Sequence, residues 1–370
     1  MQRDDSAITS DLVLVGGGHS HLFVLKHFAM HPLPGVRITL VTRDLHTPYS
    51  GMLPGFIAGH YDYDDAHIDL LPLARYAGAR VIHAEVGAID AERKQVFINR
   101  RPALDYDLLS INIGSRPSMP HAEAAAKNSF AVKPVDGFID SWRQLEQRLQ
   151  ENDDDLQLAI IGGGAGGIEL ALSLEYRARQ LSRTRARLKL VIVTDRDRLL
   201  PGHNARVQRC FDQILQQRSI QVYYEHPVTG FDNGFVVGDF AMPIAADAVV
   251  WATHASPAAW LRDSGLSLDE RGFIAVNSCL QSLSHRDVFA SGDIASVADF
   301  PRPKSGVFAV RQGVPLARNL GRKLTRRRLK PFKPQQQFLS LISSGEKFAV
   351  ASRGGWALQG QWCWWLKDII

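Results

Sequence analysis

The sequence predicts an α/β fold made of two parallel-sheet units, each opened by a strand, a glycine turn and a helix. Three observations predict it. Leu12–Val15 is wholly apolar, as a strand buried on both faces must be, and Gly16, Gly17 and Gly18 follow at once. The same order returns at Leu156–Ile161 and Gly162–Gly167, about a domain length further on. The chain has 370 residues, too many for one ordinary α/β domain and suited to two.

Each glycine turn has a physical purpose. A strand that ends in glycines and leads into a helix brings bare backbone N–H groups and a positive helix end up to a diphosphate. In the first copy Gly16 makes the tight turn and Gly18 lets phosphate approach the backbone, while the third small position holds His21. In the second copy Gly162, Gly164 and Gly167 fill all three positions. One such motif is a weak signal, and two in register with a domain spacing form an internal repeat.

Composition narrows the function classes. Hydrophobic residues make up 45% and charged residues 22%, the balance of an ordinary globular protein. The net charge of +5 suits phosphorylated cofactors or an anionic membrane surface and is too small to point to nucleic acid. Cys210, Cys279 and Cys363 are far apart and odd in number, so neither a disulfide framework nor a metal knuckle is predicted. No metal site is expected. The polar start MQRDDSAITSD has no signal-peptide core, and no apolar run reaches the length of a membrane span. A cytoplasmic protein is expected, with membrane contact peripheral if any.

Along the first unit, Leu22, Phe23, Leu25 and Phe28 give the helical spacing after the turn. Val36–Val41 is the next strand, and its end carries Thr42 and Arg43 where an acid for a ribose commonly stands. The segment 46–61, HTPYSGMLPGFIAGHY, is rich in Gly and Pro yet apolar, a loop suited to packing on a flat ring or to a buried connection. Arg80–Val86 and Gln95–Ile98 read as strands, and Tyr106–Ile113 as an apolar strand running into Gly114, Ser115 and Arg116. An alanine-rich connector follows Pro120 and leads to a helix over Gly137–Gln150.

In the second unit a helix runs from Ile168, and Leu188–Val193 ends in Thr194, Asp195, Arg196, Asp197 and Arg198. Asp195 suits the ribose of NADH and the arginines suit the phosphate of NADPH, so the choice stays open. The helix Ala205–Gln217 puts Cys210 on its apolar stripe, a core position. Val249–Trp251 leads to Thr253, Phe273–Val276 is strand-like, and 306–324 has helical spacing. Arg322–Lys333 is a basic run, read as a solvated helix end. The tail has β-like stretches at Phe338–Ser343 and Phe348–Ser352, then a tryptophan cluster that suits a core, a partner or a membrane surface.

These motifs resemble the flavoproteins with two dinucleotide-binding domains, the FAD-dependent pyridine nucleotide-disulfide oxidoreductase superfamily. The resemblance is carried by the paired glycine turns, YDLLSINIGSRP (106–117), VVWATHASP (249–257) and DVFASGDIA (287–295), and it covers nearly the whole chain. LVGGGHSH, TPYSGMLPG and SGVFAVRQG further resemble the NADH-dehydrogenase-like FAD module found fused to selenide, water dikinase and, more distantly, type II NADH dehydrogenases.

The resemblance implies two Rossmann-like (FAD/NAD(P)-binding, three-layer ββα) domains, with the NAD(P)H domain inserted in the FAD domain. The boundaries drawn are 1–120 and 273–330 for FAD, 121–272 for NAD(P)H and 331–370 for a C-terminal segment. FAD is expected on Gly16, Gly17, Gly18, His19, His21, Thr42, Arg43, Met52, Leu53, Gly114, Ser115, Arg116, Gly292 and Asp293, with Asp293 on a ribitol hydroxyl. NAD(P)H is expected on Gly162, Gly163, Gly164, Gly167, Asp195 and Thr253. Glu169 is the candidate to orient the nicotinamide, with a helix-start acid as the alternative. Lys304 and Gln312 are candidates for the edge of the flavin that gains negative charge, with a solvated surface lysine as the alternative for Lys304.

Disulfide reductases of this superfamily carry a redox cysteine pair where this chain reads Pro48–Leu53, PYSGML. No cysteine stands there, so electrons are expected to pass from NAD(P)H through FAD straight to an acceptor. Quinone and selenium species are the acceptors in view. A regulatory flavin module tied to selenophosphate synthetase and a membrane-surface quinone reductase are the alternative readings.

Overall fold

The computed structural model describes residues 7–120, 128–151, 154–181, 187–302, 304–335 and 338–369. The alanine-rich connector after Pro120 lies outside them at 121–127. The chain divides into two compact units. Among the described residues, the first takes in those of Met1–Tyr49, His67–Ser115 and Ala255–Pro334. The second takes in those of Ser50–Ala66, Arg116–His254 and Gln335–Ile370. The segment 50–66 and the tail therefore group with the second unit, and 255–272 with the first.

Ten strands build the two principal sheets, five in each. In chain order they are β1 (Ser10–Val15), β2 (Val36–Thr42), β3 (Arg80–His83), β4 (Leu108–Ile111), β5 (Ser129–Ala131), β6 (Leu156–Ile161), β7 (Leu188–Val193), β8 (Gln221–Tyr223), β9 (Ala248–Trp251) and β10 (Val288–Ala290). The helices needed below are α1 (His19–Met30), α2 (Ala165–Leu181), α3 (Gly306–Leu324) and α4 (Gln361–Ile369).

The first unit's sheet runs β10-β4-β1-β2-β3 and is parallel throughout. Leu14 pairs with Leu40 on one side and Ser110 on the other. Leu12, Leu14, Leu40, Leu109 and Ile111 are fully buried, the burial that a parallel sheet covered on both faces requires. Each such leucine contributes about 1.5–3 kcal/mol over an exposed one. α1 buries Val24, Leu25 and Phe28 in this core, and α3 adds Leu316, Ala317 and Leu320.

The second unit repeats the plan. Its sheet runs β5-β9-β6-β7-β8, again parallel, with Ile160 between Ile192 and Val250. In both units the central strand leads into the glycine turn at its C-terminal end. The next strand in sequence lies on one side, and a later strand on the other. This is the switch point where open α/β sheets take ligands. Each unit also holds a three-stranded antiparallel sheet, Val86–Asp90, Gln95–Ile98 and Leu104–Asp105 in the first, Val228–Asp232, Phe235–Gly238 and Ile244–Ala245 in the second.

Several sequence expectations shift. The stretch 80–86 is two strands, because the chain leaves the parallel sheet after His83. The strand in 106–113 is only Leu108–Ile111, since Asn112 turns its polar groups to the glycine turn. Cys210 is half-buried at the edge of the second unit's core, where its thiol donates to Gln359 Oε1 at 2.8 Å. The tail forms a β-sheet of Ser340–Ser343, Ala349–Arg353 and Trp356–Gly360 and ends in α4. α4 was not expected, because its tryptophans dominate the sequence and hide a helical face on which only Cys363 and Trp364 are buried among the described residues.

Candidate dinucleotide sites

The first two glycines of each turn are built alike. Gly16 has φ +91°, and a Cβ added there would lie 2.5 Å from the Asn112 carbonyl oxygen. Gly162 has φ +131°, and its Cβ would lie 2.5 Å from the Ala252 carbonyl oxygen. A side chain at Gly17 would overlap Leu70 and lie 3.1 Å from Thr42 Oγ1. One at Gly163 would lie 2.9 Å from both Leu199 and Thr194 Oγ1. A threonine ending the second strand and a leucine from the following segment therefore sit under each turn. Both first glycines also occupy backbone conformations that L side chains rarely adopt.

Thr42 and Arg43 lie at the end of β2. Thr42 is buried and its hydroxyl donates to the Asp44 carbonyl at 2.9 Å. Arg43 pairs with Asp44 at 2.7 Å. In the second unit Asp195 and Arg196 stand at the end of β7, 3.6 Å apart and exposed. Thr253 follows β9, and its hydroxyl donates to the Ser118 carbonyl.

The first unit gathers its remaining candidates around Asn112, a residue sequence reading passed over. Asn112 Oδ1 accepts from the Ser20 N–H at 3.1 Å and from the His21 N–H at 3.4 Å, so β4 caps the start of α1 from a distance. Its Nδ2 donates to the Ser291 carbonyl at 2.7 Å. Next along, Gly114 has φ +72° with open space where a Cβ would be, and Ser115 Oγ donates to Asp293 Oδ2 at 3.3 Å. Gly292 N–H donates to Gln312 Oε1 at 2.6 Å. Gln312 is thereby a buried support for the Gly292 turn. Asp293 and Lys304 line a small cavity of about 30 Å³ with Ser305 and Phe308 at the start of α3. The signal for Asn112 was available: it is an amide placed directly after the apolar run of β4 at the ligand end of the sheet.

Two histidines and a lysine have shifted titrations. Burial draws His19 and His21 down to about 4, so both are neutral at pH 7. The negative charge of Asp293 opposes the shift at His19. Lys304 is not a solvated surface lysine. Its Nζ donates to the Ala295 carbonyl at 2.6 Å, sits 3.9 Å from the Phe273 ring centroid, and burial lowers it to about 8.

Met52 and Leu53 belong to the second unit, where Leu53 joins the core at the start of the short helix Leu53–Ile57. Glu169, just past the first turn of α2, is held by the tail. Its Oε1 accepts from the Ser343 N–H at 2.7 Å, the Ser343 hydroxyl at 2.9 Å and Lys367 Nζ of α4. No sequence signal joined Glu169 to Lys367, nearly two hundred residues apart. Arg116 is exposed at the boundary of the second unit. Among the described residues no group of His, Cys, Asp or Glu is arranged to hold a metal ion.

Two glycine turns at the switch points of two parallel sheets define a protein that binds two dinucleotides. The sequence profile of the pyridine nucleotide-disulphide oxidoreductases matches residues 10–313, and the chain belongs to that family. Its members are FAD-dependent NAD(P)H oxidoreductases, and that is the class of this protein. Among curated relatives it is 26% identical over 296 residues to the NADH dehydrogenase-like protein YutJ of Bacillus subtilis, covering 78% of each chain. It is 23% identical over 301 residues to a type II NADH:quinone oxidoreductase of Staphylococcus haemolyticus, covering 76% of this chain and 74% of that one. Among solved structures, the sulfide:quinone oxidoreductase of Aquifex aeolicus has the same fold, with TM-score 0.80, 16% identity and coverage of 98% and 89%.

The residues present fit a bound FAD. Gly18 admits no side chain without overlap on Asn112, whereas Gly114 faces open space. His19 Nε2 is buried with no hydrogen-bond partner among the described residues. The Gly17 N–H, in the turn itself, also has none. A turn that offers an N–H donor and a buried neutral imidazole beside a helix N-terminus suits a diphosphate.

Proposed function

We propose that the first unit binds FAD, the second binds NAD(P)H, and the electron acceptor is a quinone. The observation that carries the assignment is the doubled turn: each unit has its own diphosphate cradle, and only the first adds the Asn112, Ser115, Gly292 and Asp293 group. FAD, when bound, supplies a two-electron relay between nicotinamide and acceptor. The net reaction takes NAD(P)H, one proton and a quinone to NAD(P)+ and a quinol.

The chain's own residues orient and charge the site. The Gly17 N–H and the start of α1 hold a diphosphate, and Asp293 takes a ribitol hydroxyl. Lys304 and the N-terminus of α3 set positive charge where the flavin gains negative charge on reduction. In the second unit the turn 162–167 takes the diphosphate of NAD(P)H, Asp195 or its arginine neighbours take the adenosine ribose, and Glu169 orients the carboxamide. The segment 48–53 has no thiol, which supports direct transfer without a disulfide relay.

Quinone is favoured by the relatives' activities and by the tail. Trp356, Trp362, Trp365 and Ile369 are 76%, 51%, 62% and 82% exposed, an apolar surface suited to the interface of a bilayer. No helix among the described residues is long and apolar enough to cross a membrane, so contact would be peripheral. A selenium-linked acceptor rests on the resemblance of the sequence motifs alone. Stopped-flow mixing tests the reading: NADH or NADPH should bleach the bound flavin, and a water-soluble quinone should restore its colour. Flavin that stays oxidised removes the enzyme assignment. Flotation with anionic liposomes should carry the full chain and leave behind a chain cut before Trp356, and equal flotation of both removes the membrane surface.

A further inference from the structure

Residue 21 is where the third small position of the two turns differs. In the second turn the third glycine, Gly167, lies so close to the Gly162 carbonyl oxygen that a Cβ would overlap it. In the first turn the equivalent carbonyl, on Gly16, meets His21 Nδ1 at 2.6 Å. The other ring nitrogen, Nε2, lies 2.9 Å from Ser110 Oγ. Ser110 is on β4, two residues before Asn112, and all three side chains are buried.

We infer that His21, fixed by Ser110, is a positioning residue for the FAD diphosphate and replaces the third glycine of the motif with a hydrogen bond. A carbonyl can only accept, so Nδ1 carries the hydrogen and donates to Gly16. Nε2 is then the acceptor, and the Ser110 hydroxyl donates to it. The Gly16 carbonyl thus sets the tautomer, and the Ser110 hydroxyl satisfies and anchors the remaining ring nitrogen. The ring is completely buried and held neutral, so the grip does not change across the physiological pH range.

The consequence reaches the ligand through the peptide plane. The Gly16–Gly17 peptide is planar, with its C=O and N–H pointing in opposite directions. Holding the Gly16 carbonyl toward α1 turns the Gly17 N–H away from it, and that N–H has no partner among the described residues. Asn112 fixes the other side of the same turn, through its carbonyl to the Gly18 N–H at 3.1 Å and its side chain to Ser20. β4 therefore holds the turn at both ends, and the free N–H is preset for a phosphate oxygen.

The inference rests on FAD occupying the first turn. Apoprotein titrated with FAD tests both ideas separately, because failure of the wild-type chain to bind FAD overturns the occupancy and not the role of His21. Ser110→Ala removes the donor to Nε2 and with it the anchor that holds the ring on Gly16. It should raise the FAD dissociation constant about tenfold, near the loss of one hydrogen bond, and lower the melting temperature of the apoprotein, because a buried ring nitrogen loses its donor. His21→Phe, which cannot donate, should raise it further, and adding Ser110→Ala to His21→Phe should then cost nothing more. Wild-type affinity in Ser110→Ala, or equal and independent losses in the two variants, overturns the inference. NAD(P)H affinity, read on the same variants by nicotinamide fluorescence, should not move.

Discussion

Lys304 shows how burial and charge oppose one another at a single residue. Its ammonium is drawn from an ordinary 10.5 to about 8, so it is mostly charged at pH 7 and loses its proton above pH 8. The unfolded chain keeps that proton to a higher pH and so binds more protons across the window from about 8 to 10.5. Stability therefore rises with pH there as the cost of burying the charge is relieved. Lys304→Met should raise the melting temperature of the FAD-free protein at pH 7, and the gain should shrink by pH 10. In the loaded enzyme the rate of flavin reduction should fall through a basic limb near pH 8, and Lys304→Met should flatten it. A limb that survives the substitution assigns the titration to another group. The lysine was visible in the sequence, whereas its cover by Phe273 and Ala295 was not, since neither contact follows a helical or strand spacing.

At the scale of the element, the glycines of the second turn separate space for the fold from space for the ligand. Gly167 is pressed on the Gly162 carbonyl, and Gly164 faces open space. Gly167→Ala should overpack the start of α2 and cost about 1–3 kcal/mol of stability, along with NAD(P)H affinity. Gly164→Ala should leave the melting temperature within a degree or two, yet weaken NAD(P)H by about tenfold, because the methyl meets only the ligand. Thermal unfolding and nicotinamide fluorescence on the two variants check this. Equal loss of stability in both would mean that Gly164 also packs on protein. The turns were legible because a tight turn and a close approach demand glycine at fixed spacing. β4 was legible as an apolar run, but its cap on α1 was not, since an asparagine acting across ninety residues leaves no local pattern.

For the whole molecule, each unit has buried clusters of its own, which implies two sites with separate thermodynamics. The core of the first unit centres on β1, β2 and β4, and the largest cluster of the second on β6, β7 and α2. A ligand that binds only the folded form stabilises it by about 2.7 kcal/mol at one hundred times its dissociation constant. Calorimetry should resolve FAD acting on one transition and NAD+ on another. If both ligands move the same transition by the same amount, the assignment of one dinucleotide to each unit fails. The doubled parallel-sheet plan was legible from the repeated strand–turn–helix pattern. The grouping of 50–66 and the tail with the second unit was not.

The sequence by itself determined the two parallel sheets, the two turns and the absence of a thiol relay at 48–53, because each is set by residue type at short spacing. Only the tertiary structure decided that Asn112 and Ser110 support the first turn, that Gln312 serves Gly292, and that Lys367 of α4 reaches Glu169. Glycine geometry and apolar runs are local constraints written directly in the chain. A hydrogen bond between side chains far apart in sequence depends on which strands become neighbours, and that is fixed only when the sheets close.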